Sequence, residues 1–101
     1  GGLVFALGII EKLTAEDFLR GRKIAGTGTI DSDGNVGPIG GINEKMIGAA
    51  GAGATIFLAP ADNCSEIKQV PKNLLVIPVA TLKDAVSALR NTRPESIAGC
   101  R

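Results

Sequence analysis

The stretch GPIGGINEKMIGAA, Gly37–Ala50, decides the fold because it predicts a helix with a well-defined start. Its paired glycines favour a turn, and we expect Asn43 to cap a helix whose first turn is Glu44–Ile47. A glycine at position 51 or 53 is a suitable C-terminal residue for this helix. The run that follows, Thr55–Leu58, is short and continuously apolar, as is typical of a buried strand. A helix that leads directly into a buried strand indicates an α/β fold.

The flanking segments extend this unit in both directions. Lys23–Ile30 predicts a strand that turns at 31–35 and returns through Val36–Ile39. Pro60 is expected to stop the strand after the helix. The remaining predicted elements are a buried helix over 3–13, a short helix over 15–19, a helical turn or two within 61–69, a strand over 74–79, a helix capped by Thr81 and a polar tail over 91–101. The predicted fold class is α/β, a mixed sheet with parallel strand pairs and packed helices.

The composition excludes several classes of function. The chain has 101 residues and no histidine, which excludes histidine triads and histidine metal sites. Cys64 and Cys100 are too few and too far apart for a zinc site, and they form either one disulfide or two free thiols. A net charge of +1 without a basic block, together with 3% aromatic residues, predicts no binding to nucleic acid.

Three further patterns resemble ligand or membrane motifs but are better explained otherwise. Asp31-x-Asp33-Gly34 lacks the spacing of a calcium loop, so a hairpin turn is the preferred interpretation. The glycine clusters at 26–28 and 51–53 complete no phosphate-binding motif, and close packing explains them. The apolar run 1–10 is too short to span a bilayer. We therefore predict no metal, no cofactor and no direct membrane contact for this segment.

Lys45 occupies an unusual position. It lies in the predicted first turn of the helix, where the helix dipole disfavours a cation. Glu44 points about 100° away around the helix, so no carboxylate is expected on the face of Lys45. One interpretation is a lysine whose stem packs along an apolar helix edge. The other is a desolvated, uncharged lysine that acts as a general base toward a serine hydroxyl, with Thr27 as a hydrogen-bond partner for its amine.

Four stretches of the chain resemble the proteolytic domain of the Lon protease family. They are GGLVFALGI, IAGTGTI, GNVGPIGGINEKMIGAAGAGA and IFLAPADNC, in this order and spacing. The resemblance implies that Lys45 is the general base of a Ser-Lys dyad and that Thr27, followed by Gly28, supports this lysine. It also implies that residues 1–90 are the C-terminal part of a Lon-type proteolytic domain, with 91–101 as a polar tail.

The family's serine nucleophile has no counterpart in these residues. Gly1-Gly2-Leu3 matches the end of the family's Pro-Ser-Ala/Gly-Gly-Leu/Ile motif, so we expect the serine immediately before Gly1 in the parent protein. The four serines of the chain match no nucleophile position: Ser32, Ser65, Ser87 and Ser96. The chain alone is therefore expected to be inactive, and its parent to be a serine endopeptidase that degrades unfolded or exposed polypeptides. The alternative is a non-catalytic structural or peptide-binding domain with the same fold.

Two stretches, FALGIIEKLT and TGTIDSDGNVGPIGGI, are most similar to the sequences of bacterial Lon-like proteases linked to a PDZ domain. This likeness implies an extracytoplasmic enzyme anchored in the membrane by an upstream segment. The alternative is the end of a cytoplasmic, ATP-dependent Lon, in which an upstream module would use ATP. In either case the resemblance implies polypeptide substrates and a homo-oligomer, a hexamer in the family.

Overall fold

The computed structural model describes residues 2–3 and 22–90, where strands and helices follow one another along the chain. This order confirms the predicted α/β class. Apart from Leu3, the helices predicted over 3–13 and 15–19 lie outside the described residues, as does the tail over 91–101. In chain order the elements are β1 Ile24–Gly26, β2 Thr29–Ile30, β3 Val36–Gly37, α1 Ile42–Gly51, β4 Ile56–Pro60, a 3₁₀ helix Ala61–Glu66, β5 Leu75–Val79 and α2 Leu82–Arg90.

A three-stranded parallel sheet lies at the centre, with β4 between β1 and β5. Every residue of β4 is buried, as expected for a parallel strand that is covered on both faces. Contrary to prediction, β4 includes Pro60. Its pairing with β1 ends at Leu58, whereas its pairing with β5 continues as far as Pro60 opposite Val79, so β5 extends the strand.

The sheet separates two apolar clusters. The first contains Leu3 and the core-facing residues of α2, packed against alternate residues of β4 and β5. The second contains Ile42 and Met46 of α1, packed against Phe57 of β4 and Val76 of β5. Adjacent residues of β4 thus belong to opposite clusters, because successive side chains of a strand point to opposite faces.

The strand predicted over Lys23–Ile30 is divided in two at Gly28. Gly28 has a φ of 142°, and a Cβ added to it would lie 2.7 Å from Cγ1 of Val36. Both facts require glycine at this position. The chain leaves the parallel sheet here, and β2 pairs with β3 in a separate antiparallel ribbon. Thr27 consequently lies at the C-terminal end of β1.

The predicted hairpin turn over 31–35 is confirmed. Oδ1 of Asp31 accepts hydrogen bonds from the backbone N–H groups of Asn35 and Asp33, at 2.8 and 2.9 Å. The Asn35 amide donates to Oδ2 of Asp31 at 3.1 Å. These hydrogen bonds hold the pKa of Asp31 below its usual value, and the backbone N–H of Asn35 makes the largest contribution. The carboxylate of Asp31 thus stabilises the turn.

The last helix begins as predicted at Thr81. The Thr81 hydroxyl accepts the backbone N–H of Asp84 at 3.0 Å, and Oδ2 of Asp84 accepts those of Ala80 and Thr81 at 3.2 Å. This reciprocal pattern is a capping box with aspartate in the third position. It fixes the start of α2, whose core residues pack on the sheet face opposite to α1.

Candidate active site

The helix α1 begins two residues earlier than the sequence predicts, at Ile42 instead of Glu44, and Asn43 does not cap it. Gly41 is the N-cap residue, with a φ of 71°, and no side chain caps the helix. The prediction for Asn43 is wrong because its amide binds a different segment. Its Nδ2 donates to the carbonyl of Glu66 at 2.8 Å, and its Oδ1 accepts the backbone N–H of Lys68 at 3.0 Å.

Lys45 is the fourth residue of α1, and its side chain is exposed. Its backbone N–H donates to the carbonyl of Gly41 at 3.1 Å, which closes the first turn of the helix. The buried residues Ile42 and Met46 anchor a neighbouring face of this turn in the core. The apolar anchors thus orient the helix so that Lys45 lies on its open side.

Lys45 and Thr27 line the same open depression. Its volume is about 470 Å³, and its other lining residues are Ala25, Gly26, Glu44, Ala49 and Phe57. The end of β1 thus forms one side and the first half of α1 forms the other. Two residues that the resemblance pairs in one site are therefore brought together by strand β1 and helix α1, which are far apart in sequence.

The surroundings of Lys45 differ from the sequence expectation in two respects. Glu44 lines the same depression as Lys45. Adjacent side chains of a helix are about 100° apart, so the depression extends around the start of α1. Lys45 is exposed rather than desolvated. Within residues 22–90, moreover, no hydrogen bond joins the Thr27 hydroxyl to Nζ of Lys45. The Thr27 backbone is fixed independently, since its N–H donates to the carbonyl of Leu58 at 3.3 Å.

Asn63 is a buried polar residue that the sequence analysis missed. It lies in the 3₁₀ helix and has no exposed surface. Its Oδ1 accepts the N–H of Ile39 at 2.9 Å, and its Nδ2 donates to the carbonyl of the same residue at 2.8 Å. The only signal in the sequence was an amide in a polar stretch that follows a buried strand, and such residues are usually exposed.

Cys64 follows Asn63 and is disulfide-bonded, the first of the two states considered from the sequence. Cys100, the other cysteine of the chain, lies outside the described residues. No three histidine, cysteine, aspartate or glutamate side chains within residues 2–3 and 22–90 are grouped so that they could hold a metal ion. In the same part of the chain, no helix has the length and apolar character needed to cross a bilayer.

The mixed α/β fold is consistent with a proteolytic domain. The family model of the Lon protease (S16) C-terminal proteolytic domain matches residues 1–90. The chain therefore belongs to the Lon protease (S16) family, which confirms the resemblance found in the sequence.

Relatives with curated names agree with this assignment. The Lon protease of Clostridium beijerinckii is 43% identical over 68 residues, which are 63% of this chain and 9% of that protein. Lon protease 1 of Bacillus subtilis is 37% identical over 73 residues, or 72% of this chain and 9% of that protein. Lon protease 2 of Herpetosiphon aurantiacus is 38% identical over 73 residues, with the same coverage. The chain thus spans about a tenth of the length of these relatives.

Proposed function

We propose that this chain supplies the general base of a Ser-Lys endopeptidase, in a longer polypeptide that carries a serine directly before Gly1. The substrates are unfolded or exposed polypeptide segments. The observation that carries the proposal is the depression shared by Lys45 and Thr27, the two positions that match the family's motifs for the base and its support. Membership of the Lon protease family supports the reaction class.

The position of Leu3 supports the placement of the nucleophile. Its backbone N–H donates to the carbonyl of Gly28 at 3.4 Å, and Gly28 is adjacent to Thr27. A residue directly before Gly1 is three positions from Leu3, so it lies within about 11 Å of Leu3 even in an extended chain. A serine at that place is thus within reach of the end of β1, where Thr27 lines the depression.

In the proposed reaction, Nζ of Lys45 accepts the proton of the serine hydroxyl as its oxygen attacks the scissile carbonyl. Backbone N–H groups beside the serine stabilise the oxyanion. The same amine then returns the proton to the nitrogen of the leaving peptide, which departs as the acyl-enzyme forms. Water hydrolyses that ester, with Lys45 as general base again, and regenerates the serine.

A general base of this kind must be uncharged when the serine is deprotonated. The described residues leave Lys45 exposed, so we propose that the bound polypeptide itself covers the depression and removes water from the amine. Phe57 and Ala49 give the depression an apolar component that a substrate side chain can cover. Substrate binding and activation of the base are thereby coupled.

The proposal is tested by comparing two proteins in a casein assay. One is the complete polypeptide with its natural residues before Gly1, and the other is the present chain alone. We expect cleavage by the first and none by the second, because a base without a nucleophile cannot form the acyl-enzyme. A complete polypeptide that binds casein but does not cleave it would establish the alternative, a non-catalytic peptide-binding domain. Cleavage by the chain alone would also contradict the dyad.

A further inference from the structure

The buried amide of Asn63 is bound to the segment that leads into α1. Through Oδ1 and Nδ2 it binds both backbone groups of Ile39, at 2.9 and 2.8 Å, and Nδ2 also donates to Oε1 of Glu66 at 3.3 Å. Both amide hydrogens and the amide oxygen are therefore used. A buried amide that binds another residue's N–H and C=O together acts like a neighbouring strand, and it fixes the path of the chain two residues before the glycine N-cap of α1.

Asn43 makes the complementary connection from inside the helix. Its amide binds the carbonyl of Glu66 and the N–H of Lys68, at 2.8 and 3.0 Å. Residues 63–68 thus hold the start of α1 from two sides, through Ile39 before the helix and through Asn43 in its first turn. We call this pair of amides, Asn43 and Asn63, the asparagine clamp.

Within residues 2–3 and 22–90, no side-chain cap holds the start of α1. The N-cap residue Gly41 carries no capping side chain, and a Cβ added to Gly40 would contact nothing within 4 Å. Ile42 and Met46 bury the inner face of the helix, but apolar contacts are non-directional. Hydrogen bonds to backbone groups are directional, so they fix the position of the helix along its axis.

We infer that the asparagine clamp positions Lys45 relative to Thr27, so that Asn43 and Asn63 are positioning residues for the proposed Ser-Lys reaction. This inference rests on the proposed function for its catalytic consequence. Lys45 lies two residues after Asn43 and closes the first helical turn onto Gly41. A shift of the helix start therefore moves the amine away from the end of β1 and from the serine expected there.

The catalytic consequence is tested in the complete polypeptide with Asn43→Ala and Asn63→Ala. A misplacement of about 1 Å costs roughly 10²-fold in rate, so we expect kcat to fall by about that factor in each variant, with KM little changed. The matched control is Asn35→Ala, which removes an amide that binds Asp31 in the hairpin turn, away from α1. It should lose stability without losing kcat. If both clamp variants fold and keep the wild-type kcat, the inference is wrong.

A second measurement tests the clamp without relying on proteolysis. In the present chain, amide hydrogen exchange at Lys45, whose N–H binds Gly41, should accelerate in Asn43→Ala, while exchange in β5 stays unchanged. Asn43 is only partly buried, so this variant should fold. Unchanged exchange at Lys45 would overturn the clamp. If the wild-type polypeptide cleaves nothing, the proposed function fails, and the exchange result still decides whether the clamp exists.

Discussion

Lys45 combines an exposed side chain with a backbone that is fixed in the first turn of α1. Ile42 and Met46 anchor its helix, its own N–H closes the first turn, and the depression places Thr27 across from it. The proposed chemistry requires this amine at the depression that Thr27 also lines.

Thr27 offers a prediction at the same scale. In the complete polypeptide, Thr27→Val keeps the shape of the side chain and removes its hydroxyl. We expect a smaller loss of turnover than for replacement of Lys45, together with a shifted pH–rate profile. The variant lacks the hydroxyl that we propose binds the amine once a substrate covers the depression. Thr29→Val, in the ribbon β2, is the matched control and should leave the profile unchanged. If Thr27→Val had the same pH–rate profile as wild type, the hydroxyl of Thr27 would have no part in the reaction.

At the scale of elements, apolar patterning predicted most of the architecture. The continuous apolar runs at 55–58 and 74–79 predicted β4 and β5, because strands buried in a parallel sheet are apolar on both faces. The spacing of apolar residues after Thr81 predicted α2. Four features were not predicted: the extension of β4 to Pro60, the break at Gly28, the N-cap at Gly41 and the burial of Asn63. Each depends on a contact with a distant segment, and local sequence does not carry that information.

The depression that Lys45 and Thr27 line was likewise predicted only in part. The sequence identified Lys45 and Thr27 through the family motifs, but not the exposure of Lys45 or the presence of Glu44 in the same depression. These depend on the position of α1 relative to β1, which arises from tertiary packing. Motif recognition thus located the candidate site, and tertiary contacts determine its environment.

The hairpin turn gives a prediction about pH. The lowered pKa of Asp31 means that its carboxylate stabilises the fold above the unfolded value of about 3.9, and that this contribution is lost as pH falls through the lower folded value. Asp31→Asn should therefore destabilise the chain near neutral pH, and the difference from wild type should shrink in strong acid. Urea unfolding at several pH values measures it.

The matched control for this prediction is Asp33→Asn in the same turn. Asp31, not Asp33, accepts the hydrogen bonds of the turn through its carboxylate, so the control should show little pH-dependent difference from wild type. If the loss of stability in Asp31→Asn were equal at all pH values, the charge of this carboxylate would have no part in the turn.

At the scale of the whole molecule, we propose one surface as a site of self-association. Ile47 of α1 and Val70 are 64% and 44% exposed, and they line a second groove together with Ala50 and Pro71. We predict that the chain self-associates through this groove, which would bury apolar surface that a chain of this size leaves open. Sedimentation velocity should show association that depends on concentration, and Ile47→Glu should abolish it.

The control for association is Lys83→Glu on α2, which changes the surface charge on a different helix. It should associate as wild type does. A stable monomer at every concentration, with a cooperative thermal transition, would show that the chain needs no partner surface.

The most direct test of the account is turnover by Lys45→Arg in the complete polypeptide. Arginine keeps the positive charge and nearly the length of lysine, but it remains a cation and accepts no proton near neutral pH. We predict that hydrolysis of a fluorogenic peptide falls by about 10²–10⁴-fold, the range for a lost general base, while Lys83→Arg retains wild-type turnover. Undiminished cleavage by Lys45→Arg would contradict the assignment of Lys45 as the base.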